Sequence, residues 1–298
     1  MDPKPAPGES LVEIAAAGAG HFDLAVAKGE YEPRPQLPYT PGTDGAGHVV
    51  ASEHYKIGTW VRVGGGGLGL RRDGTWAELA TAPDDALQPI PAGVPAPIAA
   101  SFYVPASAAY LAVNEVGRLR RGERVAVTGA SGAVGAVAVQ LARLSGASEV
   151  FGIVSRPEKA SAVPPLTTVV VGRGAAVVPQ LHGGGRGVDL LVDTVGGPGL
   201  AKLVPALAAG GRIVMIGYTA GREVCLDVPG LIDADVSLVP LNLFRRPARA
   251  REAATLVLEM LRDGLVELPV TTFSLDDLGA ALEALSTGTT LGRVVLVP

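Results

Sequence analysis

The stretch GERVAVTGASGAVGAVAVQLARLSGA, residues 122–147, decides the fold of this chain. Its first part, RVAVT, is rich in β-branched residues and is typical of a buried strand. Gly129, Gly132 and Gly135 follow, and then a run of small and aliphatic residues predicts a helix. Glycines let a ligand approach the backbone, and the first amides of a helix form an anion site. In this strand–turn–helix context the glycines indicate a dinucleotide-binding turn rather than an ordinary tight turn.

The spacing of apolar residues differs between the chain before this turn and the chain that contains and follows it. Residues 9 to about 98 contain short apolar bursts separated by Gly, Pro and Asp, which predicts a compact, mostly β unit with many turns. Residues 122 to about 240 alternate strand-like and helix-like runs, which predicts βαβ units and a doubly wound parallel sheet. The strand-like runs are RVAVTG, EVFGIVS, TTVVVG, VDLLVDTVG and GRIVMIG, and the helix-like runs include AVGAVAVQLARLSG and LAKLVPALAAGG.

The remaining residues complete the two units. DADVSLVPLNLF, residues 233–244, is predicted to be the last strand of the sheet and therefore an edge. Two helices should follow, one ending at Gly264 and one with Ser274 as its N-cap. LGRVVLVP should close the chain as a strand.

Composition limits the classes of partner. The 298 residues are 48% hydrophobic and 18% charged, enough for a sizeable core, and the net charge of −4 gives no reason to expect nucleic acid or an anionic membrane. Cys225 is the sole cysteine, which excludes an intrachain disulfide and a multi-cysteine metal site. There is no signal-peptide pattern and no apolar run of about 20 residues. We therefore expect a soluble, cytoplasmic protein whose partner is a small molecule.

The residues after the second strand of the sheet indicate which dinucleotide is bound. An NAD site usually has an acidic residue there, bonded to the ribose 2′-hydroxyl. This chain has Ser155, Arg156 and Lys159 instead, and Arg173 follows the third strand. A hydroxyl and several cations suit a 2′-phosphate, so the sequence predicts NADP(H).

These segments together resemble a known family. LPYTPGTDGAGHVV, the GASGAVG turn, VDLLVDTVGG, GRIVMIG and GRVVLV are similar to the medium-chain dehydrogenase/reductase superfamily, most of all to zinc-independent quinone oxidoreductases of the zeta-crystallin type. The resemblance implies an α/β protein with a GroES-like, partly open β-barrel domain, residues 1–98 and 265–298. A Rossmann NADP(H)-binding domain, residues 99–264, would complete it, with the cofactor in the cleft between the two.

The resemblance also implies site residues. Tyr31 matches a tyrosine near the nicotinamide, and His21 is a second candidate for the catalytic site, although each is about as well explained as a structural residue. Gly20 and Ala108 stand where the family usually has an asparagine and a threonine. The predicted cofactor contacts are Ala130, Ser131, Gly132, Ala133, Val134, Ser155, Arg156, Lys159, Arg173, Val195, Gly217, Tyr218, Leu243 and Phe244.

Zinc-dependent members of the superfamily carry ligands that this chain lacks. Gly20 takes the position of the thiolate and Thr43 that of the imidazole, and Ser101–Tyr110 offers neither Cys nor His. Zinc needs three or four N, S or O side chains, so we expect no metal. Alcohol oxidation then lacks its Lewis acid, whereas a conjugated carbonyl is already electrophilic.

The sequence therefore predicts an NADPH-dependent oxidoreductase that transfers hydride to a quinone or an α,β-unsaturated carbonyl. Two alternatives stay open. One is an enoyl reductase that acts on a biosynthetic intermediate. The other is a weakly catalytic NADPH-binding sensor or structural protein, which the missing donors at Gly20 and Ala108 favour. The resemblance further implies a homodimer in which the edge strands of two sheets meet, with Val236, Leu238 and Leu241 near the two-fold axis.

Overall fold

The computed structural model describes residues 3–31 and 35–298 and divides the chain into two compact units. The barrel unit comprises Met1–Tyr103 and Val270–Pro298, and the Rossmann unit comprises Val104–Pro269.

The barrel unit is built on a seven-stranded sheet in which all pairs but one are antiparallel. The order is β12-β13-β1-β2-β3-β5, with β4 paired to β1, and β12 runs parallel to β13. Register shifts along β1 let this long strand pair with β2, β4 and β13. The strands are β1 (Glu9–Ala19), β2 (Asp44–Ala51), β3 (Trp60–Gly64), β4 (Leu79–Pro83), β5 (Leu87–Pro89), β12 (Val270–Ser274) and β13 (Arg293–Val297).

Short helices complete the barrel unit. They are α1 (His21–Ala27), α2 (Ala96–Ala99), α8 (Leu278–Thr287) and the 3₁₀ turns Asp84–Ala86 and Leu275–Asp277. As predicted, Ser274 caps the turn that leads into α8, since its hydroxyl accepts a hydrogen bond from the Asp276 amide. The alternating inward residues of the strands form one core with the apolar face of α8, including Val12, Ile14, Val49, Val61, Val63, Leu285 and Leu296.

The Rossmann unit contains a six-stranded sheet, and every pair in it is parallel. The order is β11-β10-β9-β6-β7-β8, so the chain reverses its direction of winding between β6 and β9. Every residue of β6 is buried, as expected for a strand covered on both faces. The strands are β6 (Arg124–Thr128), β7 (Glu149–Val154), β8 (Thr168–Val171), β9 (Val188–Asp193), β10 (Leu207–Met215) and β11 (Ser237–Pro240).

The helices of this unit confirm the predicted alternation, with one exception. They are α3 (Tyr103–Tyr110), a π-helical turn (Leu111–Val116), α4 (Ala133–Leu144), α5 (Val178–Leu181), α6 (Val228–Asp233) and α7 (Pro247–Arg262). The 3₁₀ turns are Pro157–Ala162, Gly174–Val177, Gly183–Gly185, Ala201–Ala206 and Leu243–Arg245. As predicted, the last helix of the unit ends next to Gly264: α7 stops at Arg262 and Asp263 is its C-cap. Gly264 has a φ of +70°, which favours glycine after a helix.

The helix predicted over LAKLVPALAAGG is wrong. Pro205 lies inside a six-residue 3₁₀ turn, where its ring removes a helix donor, and β10 begins at Leu207. Leu207 already pairs with Val188 of β9, so sheet formation takes over the apolar residues that the pattern assigned to a helix. The strand expected over 233–244 is limited to Ser237–Pro240, and it does form an edge of the sheet. No helix among the described residues has the length and apolarity needed to cross a membrane.

Candidate functional site

The glycine turn between β6 and α4 uses its three glycines for different purposes. Gly129 has φ +64°, and a Cβ on it would lie 2.5 Å from Thr194 Oγ1. A Cβ on Gly135 would lie 2.2 Å from the carbonyl oxygen of Gly129, so this glycine permits close packing of helix on turn. At Gly132, among the residues that the structure describes, that same carbonyl oxygen is the one atom within 4 Å of such a Cβ, at 3.2 Å. The backbone at Gly132 is therefore the part of the turn that remains open to a ligand.

The first turn of α4 is left without an internal partner for its amides. Gly132 is the N-cap, no side chain caps the helix, and no acidic residue occupies the first turn. Ser131 is buried, whereas Ala133 and Val134 are half-buried. Free amides and the positive end of the helix dipole favour an anion at this point. The predicted cofactor contacts Ala130 to Val134 thus lie at a helix start whose backbone amides favour an anion.

A buried network joins the two strands where the winding reverses. Asp193, at the end of β9, accepts hydrogen bonds from Thr128 Oγ1 (2.5 Å) and from the amides of Val195 (3.3 Å) and Gly196 (2.9 Å). The Thr194 amide donates to Thr128 Oγ1, and the Thr194 hydroxyl donates to the Thr128 carbonyl. Burial raises the pKa of Asp193, and these hydrogen bonds oppose the rise. The network fixes the loop after β9 against the glycine turn, and we did not predict it from the sequence.

Three cations gather after β7 and β8. The pKa of Lys159 is lowered, first by burial and then by the positive charges of Arg156 and Arg173. Because β7 and β8 are adjacent parallel strands, the residues that follow them lie at the same edge of the sheet. Ser155 stands half-buried beside them in sequence, directly after β7. An anion with several oxygens would relieve the repulsion, which is the electrostatic requirement of a 2′-phosphate site.

The other predicted cofactor residues follow β9, β10 and β11. Val195, Gly217 and Leu243 are half-buried. Tyr218 and Phe244 are exposed by 63% and 85%, so both side chains have surface available for a ligand. Every predicted cofactor residue thus lies just past the carboxyl end of a parallel strand, the edge at which such sheets bind nucleotides.

In the barrel unit, Asp23 organises the turn at the end of β1. Its carboxylate accepts hydrogen bonds from the Gly20 amide (2.8 Å), the Thr43 amide (3.0 Å) and the Thr43 hydroxyl (2.8 Å). Burial raises its pKa, while the charge of Arg293 and these hydrogen bonds act in the opposite direction. With its oxygens engaged in this way, Asp23 holds the backbone rather than serving as a base.

Arg293, the first residue of β13, fills the space beside Gly20. A Cβ on Gly20 would lie 2.5 Å from Nη1 and 3.2 Å from Cζ of this guanidinium. The neighbouring acid, Asp44, forms a buried ion pair with Arg62, whose guanidinium lies 3.9 Å from the centre of the Tyr103 ring. A glycine, an engaged threonine and a guanidinium cannot coordinate zinc. Throughout residues 3–31 and 35–298, no three His, Cys, Asp or Glu side chains are grouped so as to hold a metal.

The two predicted catalytic residues also lie in the barrel unit. His21 begins α1, and its pKa is lowered by partial burial of the ring and then by the charge of Arg293. Tyr31 is 37% exposed and packs edge-on against Phe22, with ring centres 4.9 Å apart. Sequence reasoning did not single out Arg293, which the structure places beside Gly20. The signal was present in GRVVLV, a cation at the start of an otherwise apolar strand.

Two known protein families match most of this chain. Residues 6–92 match the family described as alcohol dehydrogenase GroES-like domain, and residues 167–296 match the one described as zinc-binding dehydrogenase. The chain is 32% identical to one subunit of the phenolphthiocerol/phthiocerol polyketide synthase of Mycobacterium tuberculosis, over 96% of this chain and 13% of that protein. It is 30% identical to prostaglandin reductase-3 of Mus musculus, over 84% of this chain and 65% of that protein. The chain therefore spans less than two thirds of each of these relatives.

Solved structures of other proteins superpose on this chain over its whole length. The crystal structure of AibC covers 100% of this chain with 90% of its own, at 28% identity and a TM-score of 0.86. The mycobacterial protein Rv1454c, solved in complex with NADPH, covers 100% of this chain with 94% of its own, at 26% identity and a TM-score of 0.86. This confirms the predicted GroES-like and Rossmann folds. The chain belongs to the medium-chain dehydrogenase/reductase superfamily of oxidoreductases, whose Rossmann domain binds NAD(P).

Proposed function

We propose that this protein catalyses the NADPH-dependent reduction of a quinone or an α,β-unsaturated carbonyl without a metal. The observation that carries the proposal is the position of the Arg293 guanidinium beside Gly20, where zinc-dependent members have a ligand side chain. A zinc-free site cannot stabilise an alkoxide by Lewis acidity, so oxidation of a simple alcohol is disfavoured. A conjugated acceptor needs only a hydride, a proton and a donor for its carbonyl oxygen.

The cofactor half of the proposal rests on the residues of the Rossmann unit. The open backbone at Gly132 and the uncapped start of α4 would hold the pyrophosphate. Arg156, Lys159 and Arg173 would hold the 2′-phosphate, and Tyr218 and Phe244 would border the nicotinamide. Bound NADPH supplies the hydride. The NADPH complex of the structurally similar protein Rv1454c supports this choice of cofactor.

In the barrel unit we assign supporting roles to Tyr31 and His21. The lowered pKa of His21 keeps the imidazole neutral near pH 7, so it can donate a hydrogen bond from one ring nitrogen without adding a charge. Tyr31 retains exposed surface and can donate a proton or a hydrogen bond from its hydroxyl. Either residue, or water, would then deliver the proton that completes the reduction.

An enoyl reductase that acts on a biosynthetic intermediate is the second candidate. It is favoured by the match of 96% of this chain to part of a polyketide synthase. A further match, 27% identical over 100% of this chain, is to highly-reducing polyketide synthase 1 of Aureobasidium melanogenum. The chemistry would be the same hydride addition, and only the acyl group carried by the substrate would differ.

The test combines turnover with binding. NADPH consumption should be measured with a panel of quinones, simple enones and α,β-unsaturated acyl thioesters, beside a fluorescence titration of NADPH. We expect turnover with at least one class of acceptor, and the preferred class separates the two enzymatic candidates. Tight NADPH binding without turnover on any acceptor would contradict both of them and favour the sensor or structural protein.

We also propose that the protein is a homodimer joined through β11. This strand is an edge of the sheet, and an uncovered edge presents unpaired backbone groups to a second copy. Val236 and Leu238, however, pack partly against the core of their own unit, so lysine at either position would also disturb the protomer. Sedimentation of the wild-type protein at micromolar concentration is therefore the cleaner test, and a monomeric mass would contradict the dimer.

A further inference from the structure

Arg293 holds a positive charge that forms no ion pair with any residue in the described part of the chain. The residue is only half-buried, yet its Nε atom is buried and has no hydrogen-bond partner among the described residues. Its Nη2 atom would be 3.4 Å from a Cβ on either Gly18 or Gly20, so the guanidinium lies over two residues that have no side chain. A guanidinium has five N–H donors and requires acceptors for them.

The neighbouring acids are already occupied. The Asp23 carboxylate is engaged by three donors from Gly20 and Thr43, and Asp44 is paired with Arg62. Within the described part of the chain, Arg293 makes no ion pair with any carboxylate; its interaction with Asp23 is longer-range attraction. A partly buried cation with unused donors is stabilised when an anion or a strong acceptor from outside the chain binds to it.

A second unused donor lies near the same carboxylate. The hydroxyl of Tyr39 is buried and has no hydrogen-bond partner in the part of the chain that the structure describes, and its pKa is raised by burial and then by the charge of Asp23. Tyr39 and Arg293 both interact electrostatically with Asp23, and each has a donor that no acceptor in residues 3–31 and 35–298 satisfies. Buried polar groups are rarely left in this state unless a water molecule or a ligand completes them.

We propose that Arg293 is a catalytic residue that binds the carbonyl oxygen of the acceptor and stabilises the negative charge that reduction places on it. The inference rests on the proposed function and assigns the electrophile of that reaction. Arg293 would replace the donor that the family usually places at position 20. A side chain at position 20 would require the guanidinium to move from its present place, since a Cβ there would lie 2.5 Å from Nη1.

Reduction of an enone moves one hydride and one proton onto the acceptor. The β-carbon accepts the hydride, with its electron pair, that bound NADPH supplies, and a new C–H bond forms. The C=C π pair moves toward the carbonyl, so the oxygen becomes an enolate oxyanion held by N–H donors of Arg293. The α-carbon then takes one proton from water or from a hydroxyl, the carbonyl re-forms, and NADP⁺ and the saturated ketone leave. The interaction with a preorganised cation strengthens as charge develops on the oxygen, which is the condition for faster chemistry.

The first experiment compares Arg293→Met and Arg293→Lys with the wild type on acceptors of graded oxyanion basicity. A simple enone gives a strongly basic enolate, whereas a quinone gives a weakly basic oxyanion. We expect Arg293→Met to lower kcat on the enone by roughly 30-fold or more and on the quinone by less than about 5-fold. The Kd for NADPH should change by less than about twofold, because the residues proposed to hold its phosphates belong to the Rossmann unit and Arg293 does not. The kcat of Arg293→Lys on the enone should lie between that of the wild type and that of Arg293→Met, since lysine keeps the charge but lacks the paired donors of the guanidinium.

A reciprocal exchange provides the matched control for folding. Gly20→Asn alone should lower enone reduction, because its side chain displaces the guanidinium. The double variant Gly20→Asn/Arg293→Gly should reduce the enone about tenfold faster than Arg293→Gly alone, because the asparagine amide then has room to act as the donor. A purely structural role for Arg293 would lower the melting temperature and reduce activity on all acceptors equally. Equal losses on enone and quinone, or full enone activity in Arg293→Met, would overturn the proposal.

A binding probe separates this inference from the proposed function. 4-Nitrophenolate carries an enolate-like oxyanion and changes its absorbance on protonation. Bound beside Arg293, its pKa should fall, and the shift should disappear in Arg293→Met. If the wild type reduces no acceptor yet shows this Arg293-dependent shift, the proposed function fails while the anion site stands. No shift in the wild type, with normal turnover, would mean that Arg293 does not contact the oxyanion.

Discussion

Alanine substitutions in the glycine turn should have different effects at two of its glycines, one on cofactor binding and the other on stability. Gly132→Ala should spare folding and impair cofactor binding. Gly135→Ala should destabilise the Rossmann unit. The contrast follows from what a methyl group would meet: at Gly132 one carbonyl oxygen at 3.2 Å, and at Gly135 three backbone atoms at 2.2, 2.7 and 2.9 Å.

The expected magnitudes differ enough to measure. At Gly135, overpacking against backbone costs about 1–3 kcal/mol, toward the upper end here, and alanine returns about 1 kcal/mol of helix propensity. The net loss of about 2 kcal/mol corresponds to a fall in melting temperature of roughly 4–8 °C for a unit of this size. At Gly132, alanine is a poorer N-cap by less than about 1 kcal/mol. The added methyl group would nevertheless keep a phosphate from approaching one backbone amide. The loss of that hydrogen bond should raise the Kd for NADPH at least about tenfold.

The assay pairs thermal unfolding by circular dichroism with an NADPH titration for both variants. We expect the melting temperature to separate Gly135→Ala from the wild type and the Kd to separate Gly132→Ala. Unchanged NADPH affinity in a folded Gly132→Ala protein would refute the assignment of this turn as the phosphate site. An unaltered melting temperature in Gly135→Ala would refute the packing argument.

Three further predictions concern charge and metal. Arg156→Ala should weaken NADPH at least about tenfold and leave NADH nearly unchanged, because it removes one charge-assisted phosphate contact; equal losses would argue against a 2′-phosphate site. Elemental analysis should find no stoichiometric zinc, since Gly20 and Thr43 replace its ligands, and one tightly held zinc per chain would contradict this. The pKa of His21, followed by proton NMR, should rise in Arg293→Met, because a neighbouring cation is removed. Since its folded pKa is lowered, His21 should reduce the free energy of unfolding as pH falls below about 6.5, and His21→Gln should flatten this slope.

The Rossmann sheet could be predicted because the signals for its strands and for its glycine turn each lie within a short stretch of sequence. β6 to β10 each contain a β-branched or aliphatic run, and the glycines mark the first connection. The sequence predicts a helix over residues 200–211, because the apolar pattern of LAKLVPALAAGG fits a helix as well as a strand. Pro205 and the pairing of Leu207 with Val188 decide against it, and that pairing depends on distant chain. The helix over Tyr103–Tyr110 was not predicted, since its small residues are buried on nearly all sides and show no polar face.

The candidate site divides in the same way. The sequence predicts that the proposed cofactor residues lie at one edge of the sheet, because each follows the end of a predicted parallel strand. The Asp193 network and Arg293 could not, because each depends on residues far apart in sequence: Thr128 with Asp193, and Gly20 with Arg293. An arginine at the start of a strand looks like an ordinary solvated end until the fold places it over a glycine.

The central claim is that this chain transfers hydride from NADPH to a conjugated carbonyl without a metal. Its most direct test uses NADPH deuterated at each face of C4 in turn, with protein treated with a chelator and shown to be zinc-free. Mass spectrometry should find one deuterium at the β-carbon of the saturated ketone from one of the two labelled cofactors. Deuterium in neither product, or transfer that requires added zinc, would contradict the account.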